Sequence, residues 1–214
     1  MPEAPRITRI QDIPAITAGG VGYRLVRREL GIEAFGVNAF TADAGVQLIE
    51  EHDEASGSGA GRHQELYVVI AGHARFTIDG AEHDAPSGTL VFIPDPKSRR
   101  MATAVEDGTM ALAVGGRAGQ AYEVSAWEPS FAAKALADAG DHEGAVALMS
   151  KALAEYPKNP HVLYNAACYE AVAGHREDAL KHLQAASALA PEVLEWASGD
   201  PDFDDIRDDP EFPA

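Results

Sequence analysis

Residues 61–80, GRHQELYVVIAGHARFTIDG, contain the pattern that decides the fold of the first half of the chain. The second half of this segment alternates apolar and polar residues and ends in an Asp-Gly pair, as a β-hairpin does. In its first half, His63, Glu65 and Tyr67 lie two residues apart, so an extended strand directs all three side chains to one face. The pattern therefore predicts a strand that carries an imidazole and a carboxylate either into a site or into solvent.

The residues around this segment, up to about residue 124, are predicted to form further short strands between clusters of Gly, Asp, Pro and Ser. Strands at this spacing are typical of an all-β sandwich or barrel. The segment ASGSGAGR, residues 55–62, is predicted to be a flexible loop between two strands. The predicted strands are YRLVRREL, EAFGVNAFTA, VQLIEEHDE, ELYVVIAG, HARFTID, TLVFIP and TMALAVGG.

Beyond SAWEPS, residues 125–130, the apolar residues recur every three or four positions, which indicates helices. This half also repeats with a period of 34 residues, because AGDHEGAVALMSKALAEYP aligns without a gap on AGHREDALKHLQAASALAP. The recurring positions are Gly140, Ala145, Ala152 and Pro157, followed by Gly174, Ala179, Ala186 and Pro191. Small residues at fixed points let paired helices approach closely, and the proline ends the second helix of each pair.

The period and the small-residue positions resemble the tetratricopeptide repeat, and the resemblance covers about residues 126–191. Two repeats leave one end of a helical stack open. The segment 191–212 offers large apolar residues in an acidic frame, and we expect it to form a short helix and an ordered tail that cap the stack. These residues are Leu194, Trp196, Phe203, Ile206 and Phe212.

The composition restricts the partners and the location of the protein. The chain has 214 residues and a formal net charge of −17, and such a surface repels nucleic acids and anionic membranes. The sequence has no signal peptide and no stretch of about 18 apolar residues that could span a bilayer. The single cysteine, Cys168, excludes an internal disulfide and lies in a helical pattern, so we interpret it as a core thiol of a cytoplasmic protein.

Two spacings in the β half resemble those of the cupins, a family of small jelly-roll barrels. Glu65 and Gly72 have the Glu-x6-Gly spacing that ends the first cupin motif, and Gly88 and Pro94 have the Gly-x5-Pro spacing that begins the second. The resemblance covers about residues 30–117. It implies that the β half is a cupin jelly roll, and cupins often form dimers through the barrel.

The predicted fold class is therefore α+β with two domains. Residues 1–124 would form the cupin-like jelly roll, and residues 125–214 would form two tetratricopeptide-like helix pairs with an acidic C-terminal cap.

The departures from the cupin motifs concern the four side chains with which the family usually holds a metal ion. Only Glu65 stands at its expected position. The places of the His-x-His that precedes it are taken by Gly59 and Gly61 or, with the longer spacing, by Ser58 and Ala60. The places of the second motif's His, Gly and Asn are taken by Arg99, Pro96 and Thr103. One carboxylate does not hold a transition metal, and a guanidinium has no lone pair to donate.

A metal site can nevertheless be recovered if the loop 55–62 is an insertion. The preceding EHDE would then occupy the place of the His-x-His, and His52 and Glu54 would join His63 and Glu65 as two imidazoles and two carboxylates. In the alternative interpretation, His52 and Glu54 lie at a strand end in solvent. His63 and Glu65 then form a hydrogen-bonded pair in a pocket that uses no cofactor.

The predicted ligand-binding side chains are His63, Glu65, Tyr67 and Arg99. Arg99 stands where the resemblance places the last metal-binding His, so it is predicted to point towards Glu65. It would pair with Glu65 itself or with the carboxylate of an anionic ligand. If the strand is shifted by one residue, the two faces exchange, and Arg99 or Arg100 reaches solvent instead.

Three functions agree with these features. The first is a non-catalytic binding protein, in which the barrel holds a small molecule without metal and the repeats dock a partner protein. The second is a cupin enzyme of the isomerase, cyclase or oxygenase type that acts on a small metabolite, with His63 and Glu65 as acid and base. The third is a structural module whose barrel serves only to form a homodimer.

Overall fold

The protein is described here by a computed structural model that covers residues 6–56, 61–122, 124 and 127–213. The chain divides into two compact units, Met1–Ser125 and Ala126–Ala214. A β unit followed by a helical unit confirms the predicted fold class. The predicted boundary at residue 124 stays a prediction, because residues 123, 125 and 126 lie outside the described part. Residues 57–60 also lie outside it, which are half of the predicted loop 55–62 and include three of the four His-x-His positions, Ser58, Gly59 and Ala60.

Among its described residues, the first unit contains ten strands, and all of their pairings are antiparallel. They are β1 (Ile16–Ala18), β2 (Val21–Arg24), β3 (Gly36–Ala42), β4 (Gln47–His52), β5 (Gln64–Ala71), β6 (His73–Ile78), β7 (Ala81–Pro86), β8 (Leu90–Ile93), β9 (Arg100–Ala104) and β10 (Thr109–Gly116). One sheet has the order β1-β2-β3-β10-β5-β8 and the other has the order β4-β9-β6-β7. From β3 to β10 each strand lies in the other sheet from the one before it, except that β6 and β7 form a hairpin within one sheet, and this is the connectivity of a jelly roll.

The core of this unit lies between the two sheets, and the alternation of strand residues explains it. On β5, Tyr67 and Val69 are buried, whereas Ile70 is exposed. On β6, Ala74 and Phe76 are buried and pack in the same cluster. Alternate side chains of a strand point to opposite faces, so the period-two pattern of residues 64–78 supplies the inner surface of both sheets.

Three local predictions are wrong. YRLVRREL is a strand only up to Arg24, because its second half forms the short helix α1 (Val26–Leu30), which ends at the left-handed Gly31. AEHDAP, which is not among the predicted strands, is the edge strand β7, and it lacks alternation because five of its six residues are exposed. RMATA is strand β9, whose small side chains gave no strong strand signal.

A second apolar cluster covers part of the outer face of the six-stranded sheet. Val26 of α1 and the preceding Ile13 pack with Val37 and Ala39 on the outer face of β3. The partly buried side chains around them are Ile10, Leu30, Ile32, Leu112 and Val114. The N-terminal segment therefore covers the outer side of β3 and β10.

Over residues 127–213, the second unit contains five α-helices followed by a 3-10 turn. The helices are α2 (Trp127–Asp138), α3 (His142–Glu155), α4 (Pro160–Val172), α5 (Arg176–Leu189) and α6 (Val193–Gly199), and the turn is Pro201–Phe203. Among the described residues, no helix is both long enough and apolar enough to cross a membrane.

The 34-residue period of the sequence is also the period of the helices. The second helices of the two pairs begin at His142 and at Arg176, and the glycines before them, Gly140 and Gly174, both have a positive φ, of 82° and 84°. A glycine adopts this conformation without the strain that a side chain adds. The small residues Ala145, Ala152, Ala179 and Ala186 are all buried between helices.

The C-terminal segment packs on the second helix pair. Phe203 and Ile206 are buried in the same cluster as Leu163 and Leu183, and Phe212 packs against that cluster. Tyr164 donates a hydrogen bond of 2.6 Å to Asp200. Helix α6 begins 33 residues after α4, at Val193 and Pro160 respectively, so it stands where a third repeat would begin.

Candidate functional site

The candidate site lies between the two sheets, where β4, β5 and β9 bring polar side chains together. His52 ends β4 and is paired in the sheet with Arg100, the first residue of β9. Glu65 and Tyr67 stand on β5 in the facing sheet. Because each of these residues takes an inward position on its strand, four polar side chains meet in the interior of the jelly roll.

Glu65 is the centre of this group. One of its carboxylate oxygens, Oε2, accepts a hydrogen bond of 2.6 Å from the Tyr67 hydroxyl. The same oxygen accepts hydrogen bonds from Nε and Nη2 of Arg100, at 3.0 and 2.7 Å. Nε2 of His52 lies 3.6 Å from it. The carboxylate is therefore held by one phenol, one guanidinium and one imidazole.

The Arg100 side chain has no exposed surface. Its Nη1 donates to the carbonyl oxygen of Ser98 at 2.7 Å and to that of Pro96 at 3.5 Å. A buried guanidinium is stable only when its charge and its donors are satisfied. Here the carboxylate of Glu65 balances the charge of Arg100. The carbonyl oxygens of Pro96 and Ser98, just before β9, accept hydrogen bonds from its Nη1.

These contacts decide the protonation of the group. Burial alone would raise the pKa of Glu65, but the hydrogen bonds from His52 and Tyr67 and the charge of Arg100 outweigh it and lower this pKa to about 2. Burial lowers the pKa of His52, yet its hydrogen bonds to Glu65 and to the Glu50 carbonyl leave that pKa raised. The pKa of Tyr67 is raised, mainly by burial. Glu65 is thus a carboxylate at any ordinary pH.

The prediction that Arg99 points towards Glu65 is wrong. The Arg99 side chain is 58% exposed, and its Nε pairs with Glu51 at 3.2 Å. On β9, Arg100 and Ala102 are buried and the residue between them is not. The strand is shifted by one residue relative to the motif spacing, and a shift of one exchanges the two faces of a strand.

A second pair of side chains lies beside the first group. Nδ1 of His63 is 3.6 Å from Oε2 of Glu54, and both side chains are mostly buried. Glu54 also accepts a hydrogen bond of 2.8 Å from the backbone N–H of Gly61. A β-carbon at Gly61 would collide with the His63 ring and with Glu54, so any larger residue there would displace one of these side chains. The ring of Tyr122 lies 5.8 Å from that of His63, at 34°.

The four side chains of the predicted metal set therefore lie close together. Donor atoms of His52, Glu54 and Glu65 are all within 4.8 Å of one another, a group that could hold a metal ion. His63 joins this group only through Glu54. Of the predicted ligand-binding residues, His63, Glu65 and Tyr67 lie in the site and Arg99 does not.

The sequence does not predict two residues of the site. Arg100 enters the prediction only as the neighbour of Arg99, because β9 is not among the predicted strands and its inward alternation is therefore not used. Tyr122 lies beyond the last strand, where no periodic pattern indicates which way a side chain points.

The comparisons with known proteins match the two halves of the chain separately. The family model described as Tetratricopeptide repeat matches residues 136–199. The second unit carries tetratricopeptide-like repeats. Together with the jelly-roll connectivity of the first unit, this confirms the resemblance of the chain to a cupin-like barrel joined to tetratricopeptide-like repeats. No curated protein matches the chain.

The solved structures similar to this chain include proteins described as cupins. A cupin protein from Bacteroides fragilis is 18% identical over 58% of this chain and 93% of its own, with a TM-score of 0.44. An RmlC-like cupin from Desulfovibrio desulfuricans is 21% identical over 53% and 97%, with a TM-score of 0.42. A cupin 2 conserved barrel domain protein from Salinispora arenicola is 19% identical over 54% and 92%, with a TM-score of 0.43.

Proposed function

We propose that this chain is a non-catalytic binding protein, with a barrel that works without a metal ion and repeats that dock a partner protein. The observation that carries the proposal is the buried ion pair between Arg100 and Glu65, with Nη2 and Oε2 2.7 Å apart. This ion pair affects whether the site can hold a metal ion, whether Glu65 can act as a general base, and where a small molecule can bind.

The donor set does not fit a divalent cation. Of the three donors within reach of one another, Glu65 already neutralises Arg100, and its Oε2 accepts three hydrogen bonds. A metal ion there would add two positive charges beside a buried guanidinium that cannot lose its proton. His63 is not one of the mutually close donors, so His52 and Glu54 remain, which are fewer than the three or four donors that a transition metal usually takes.

The same contacts disfavour the enzyme in which His63 and Glu65 act as acid and base. A general base works best with a pKa near the operating pH, and that of Glu65 is lowered to about 2. The hydrogen bonds from Tyr67 and Arg100 also occupy Oε2, so this oxygen is not available to accept a proton from a substrate. His63 contacts Glu54 and not Glu65.

A small molecule would therefore bind at the rim of this site and not at its centre. His52 is the most accessible of the polar side chains of the site, 34% exposed, and its donor atom lies within 4.8 Å of those of Glu65 and Glu54. Carboxylate and imidazole groups there suit a small polar molecule with hydrogen-bond donors.

The partner-docking part of the proposal rests on the second unit. Trp196 is 40% exposed, and its ring stacks on that of His161 with centroids 5.4 Å apart. Exposed, rigid aromatic side chains are common centres of protein interfaces. A cytoplasmic location and a homodimer through the barrel belong to the same proposal.

The test is metal binding by the natural chain and by Arg100→His. Native mass spectrometry of protein purified without chelator, followed by calorimetric titration with Zn²⁺, should find no ion held in stoichiometric amount by the natural chain. Arg100→His removes the positive charge and adds an imidazole beside His52, Glu54 and Glu65, so it should gain one Zn²⁺ per chain. The same spectra report any small molecule that the natural chain retains.

The proposal is contradicted if the natural chain carries a metal ion in stoichiometric amount, or binds Zn²⁺ as tightly as Arg100→His. The control is Arg99→His, which places the new imidazole outside the site and should bind no more Zn²⁺ than the natural chain.

A further inference from the structure

The carboxylates of the candidate site have oxygen atoms that accept no hydrogen bond. All three hydrogen bonds to Glu65 go to Oε2, and its other oxygen, Oε1, accepts none from the described residues. Glu54 likewise uses Oε2 to accept from the backbone N–H groups of Gly61 and His63, and no group in the described ranges donates to its Oε1. Two carboxylate oxygens are therefore available to a ligand that carries N–H or O–H groups.

The imidazole of His52 adds a third acceptor. Its Nδ1 lies 2.7 Å from the carbonyl oxygen of Glu50, and a carbonyl oxygen only accepts, so the proton of the neutral ring is on Nδ1. The other ring nitrogen, Nε2, then carries a lone pair. One nitrogen of His52 and one oxygen each of Glu54 and Glu65 all lie within 4.8 Å of one another. Three acceptors at this spacing suit a single group that has three hydrogens to donate.

The formal charges of the site favour a ligand with one positive charge. Glu54 and Glu65 carry two negative charges as carboxylates, and Arg100 supplies one positive charge. Among the described Lys and Arg side chains, only that of Arg100 pairs with either carboxylate. One ammonium group balances the remaining charge, whereas a divalent cation leaves an excess positive charge beside the buried guanidinium. A primary ammonium has three N–H donors and no acceptor, which matches the three acceptors of the site.

An unpaired amide, that of Asn38, lies on the inner face of the same sheet as Glu65. Its neighbours on β3, Val37 and Ala39, pack in the apolar cluster of the outer face, so Asn38 points between the two sheets. Its Oδ1 is buried and has no hydrogen-bond partner in the described part of the chain. A buried amide oxygen without a donor costs free energy, and a bound molecule that donates to it removes this cost.

Only small residues separate Asn38 from the strand of the carboxylate. Ala113 of β10 is paired with Asn38 on one side and with Tyr67 on the other. In the next inward row, Gly115 is paired with Glu65. Since neighbouring strands are about 4.8 Å apart, β3 and β5 are about 10 Å apart across β10. A small molecule can therefore reach from the carboxylate to the amide and pass only a methyl group and a glycine.

We propose that the small molecule held by the barrel is a hydroxylated primary amine, such as an amino alcohol or an amino sugar. Its ammonium group lies among His52, Glu54 and Glu65 at the rim of the site. A hydroxyl group further along the molecule pairs with the amide of Asn38, because a hydroxyl both donates and accepts. The inference rests on the proposed binding function and adds to it the chemical class of the ligand.

Calorimetric titration of the full natural chain tests this class of ligand. The probes are straight-chain amino alcohols from ethanolamine to aminohexanol, each with a matched diol in which a hydroxyl replaces the amine. The best amino alcohol should bind with a dissociation constant about ten-fold or more below that of its diol, because the diol lacks the charge-assisted hydrogen bonds to the carboxylates. The alkylamine of the same length, which lacks the hydroxyl, should also bind more weakly than the amino alcohol.

Variants at the two ends of the site separate the two contacts. Glu54→Gln should weaken the binding of the best amino alcohol by about ten-fold or more and remove its advantage over the diol. Glu51→Gln is the matched control, since Glu51 is 53% exposed beside Arg99 and lies outside the site, and it should leave the binding unchanged. Asn38→Ala should remove the advantage of the amino alcohol over the alkylamine and leave its advantage over the diol.

The results that overturn this inference differ from those that contradict the proposed function. Natural chain that binds none of the amino alcohols, or that binds the diols as tightly, would overturn the assignment of an amine. So would equal binding by Glu54→Gln and Glu51→Gln, or an anionic molecule retained by the purified natural chain. Each of these results leaves the binding function in place, whereas a metal ion held in stoichiometric amount contradicts that function.

Discussion

At the scale of single residues, neighbouring arginines have opposite surroundings. The Arg100 side chain is fully buried on Glu65, whereas Arg99 is 58% exposed beside Glu51. Arg100→Met should lower the free energy of unfolding by about 3–5 kcal/mol, because it leaves a buried carboxylate without its cation. Arg99→Met should cost less than about 1 kcal/mol, since an exposed ion pair contributes little. Urea denaturation measures both, and equal losses would contradict the arrangement.

The Glu65 carboxylate should also give the barrel a dependence on acid. Its pKa in the folded chain is about 2, below the ordinary value of 4.5. A lowered pKa stabilises the fold above pH 4.5, and this stabilisation is lost as the pH falls towards 2. The difference in unfolding free energy between the natural chain and Glu65→Gln should shrink by about 2 kcal/mol from pH 7 to pH 3. A difference that stays constant over this range would show that Glu65 is not held as a carboxylate.

The sequence allowed the prediction of most of the site but not of its cation. Glu65 and Tyr67 follow from the alternation of one strongly apolar strand, and His52 and Glu54 follow from the spacing around the loop. Arg100 could not be chosen over Arg99, because β9 consists of small and polar residues and its inner face is set by pairing with β4 and β6. Strand register is a long-range property, and a single sequence contains it only weakly.

At the scale of elements, the repeat period allowed the clearest prediction. Apolar residues at helical spacing and a glycine before each second helix indicate helix ends locally, without long-range contacts. The strands were predicted less well. β7 and β9 lack the alternation that marks a half-buried strand, and α1 has a polar sequence whose helical state depends on packing against β3.

The close approach of α4 and α5 provides a test of the repeat packing. Ala179 is fully buried in the cluster that these helices share. Ala179→Leu should overfill this contact and lower the free energy of unfolding by about 1–3 kcal/mol. Ala188→Leu, on the exposed side of the same helix, is the control and should change it by less than about 0.5 kcal/mol. Thermal melting of both variants decides whether the helices pair as described.

At the scale of the whole molecule, the change in residue pattern near residue 125 predicts two compact units. Short strands between turn residues and then an uninterrupted helical period are patterns of different domain classes. Their boundary remains a prediction, because the connecting residues include positions outside the described part. The function of each unit depends on individual side chains and not on the fold, since one fold supports many functions.

The position of α6 has a consequence for how this protein could change in length. α6 begins where the next repeat would begin, and Val193, Phe203 and Ile206 fill the surface that another helix pair would otherwise occupy. The C-terminal segment therefore caps the last repeat, and its contacts do not depend on how many repeats precede that one. Duplicating residues 158–191 would add one helix pair, and the C-terminal segment would then pack on the new last pair with the same contacts. Gene duplication could therefore lengthen the helical unit by one helix pair at a time, and the apolar end of the stack would stay covered after each step.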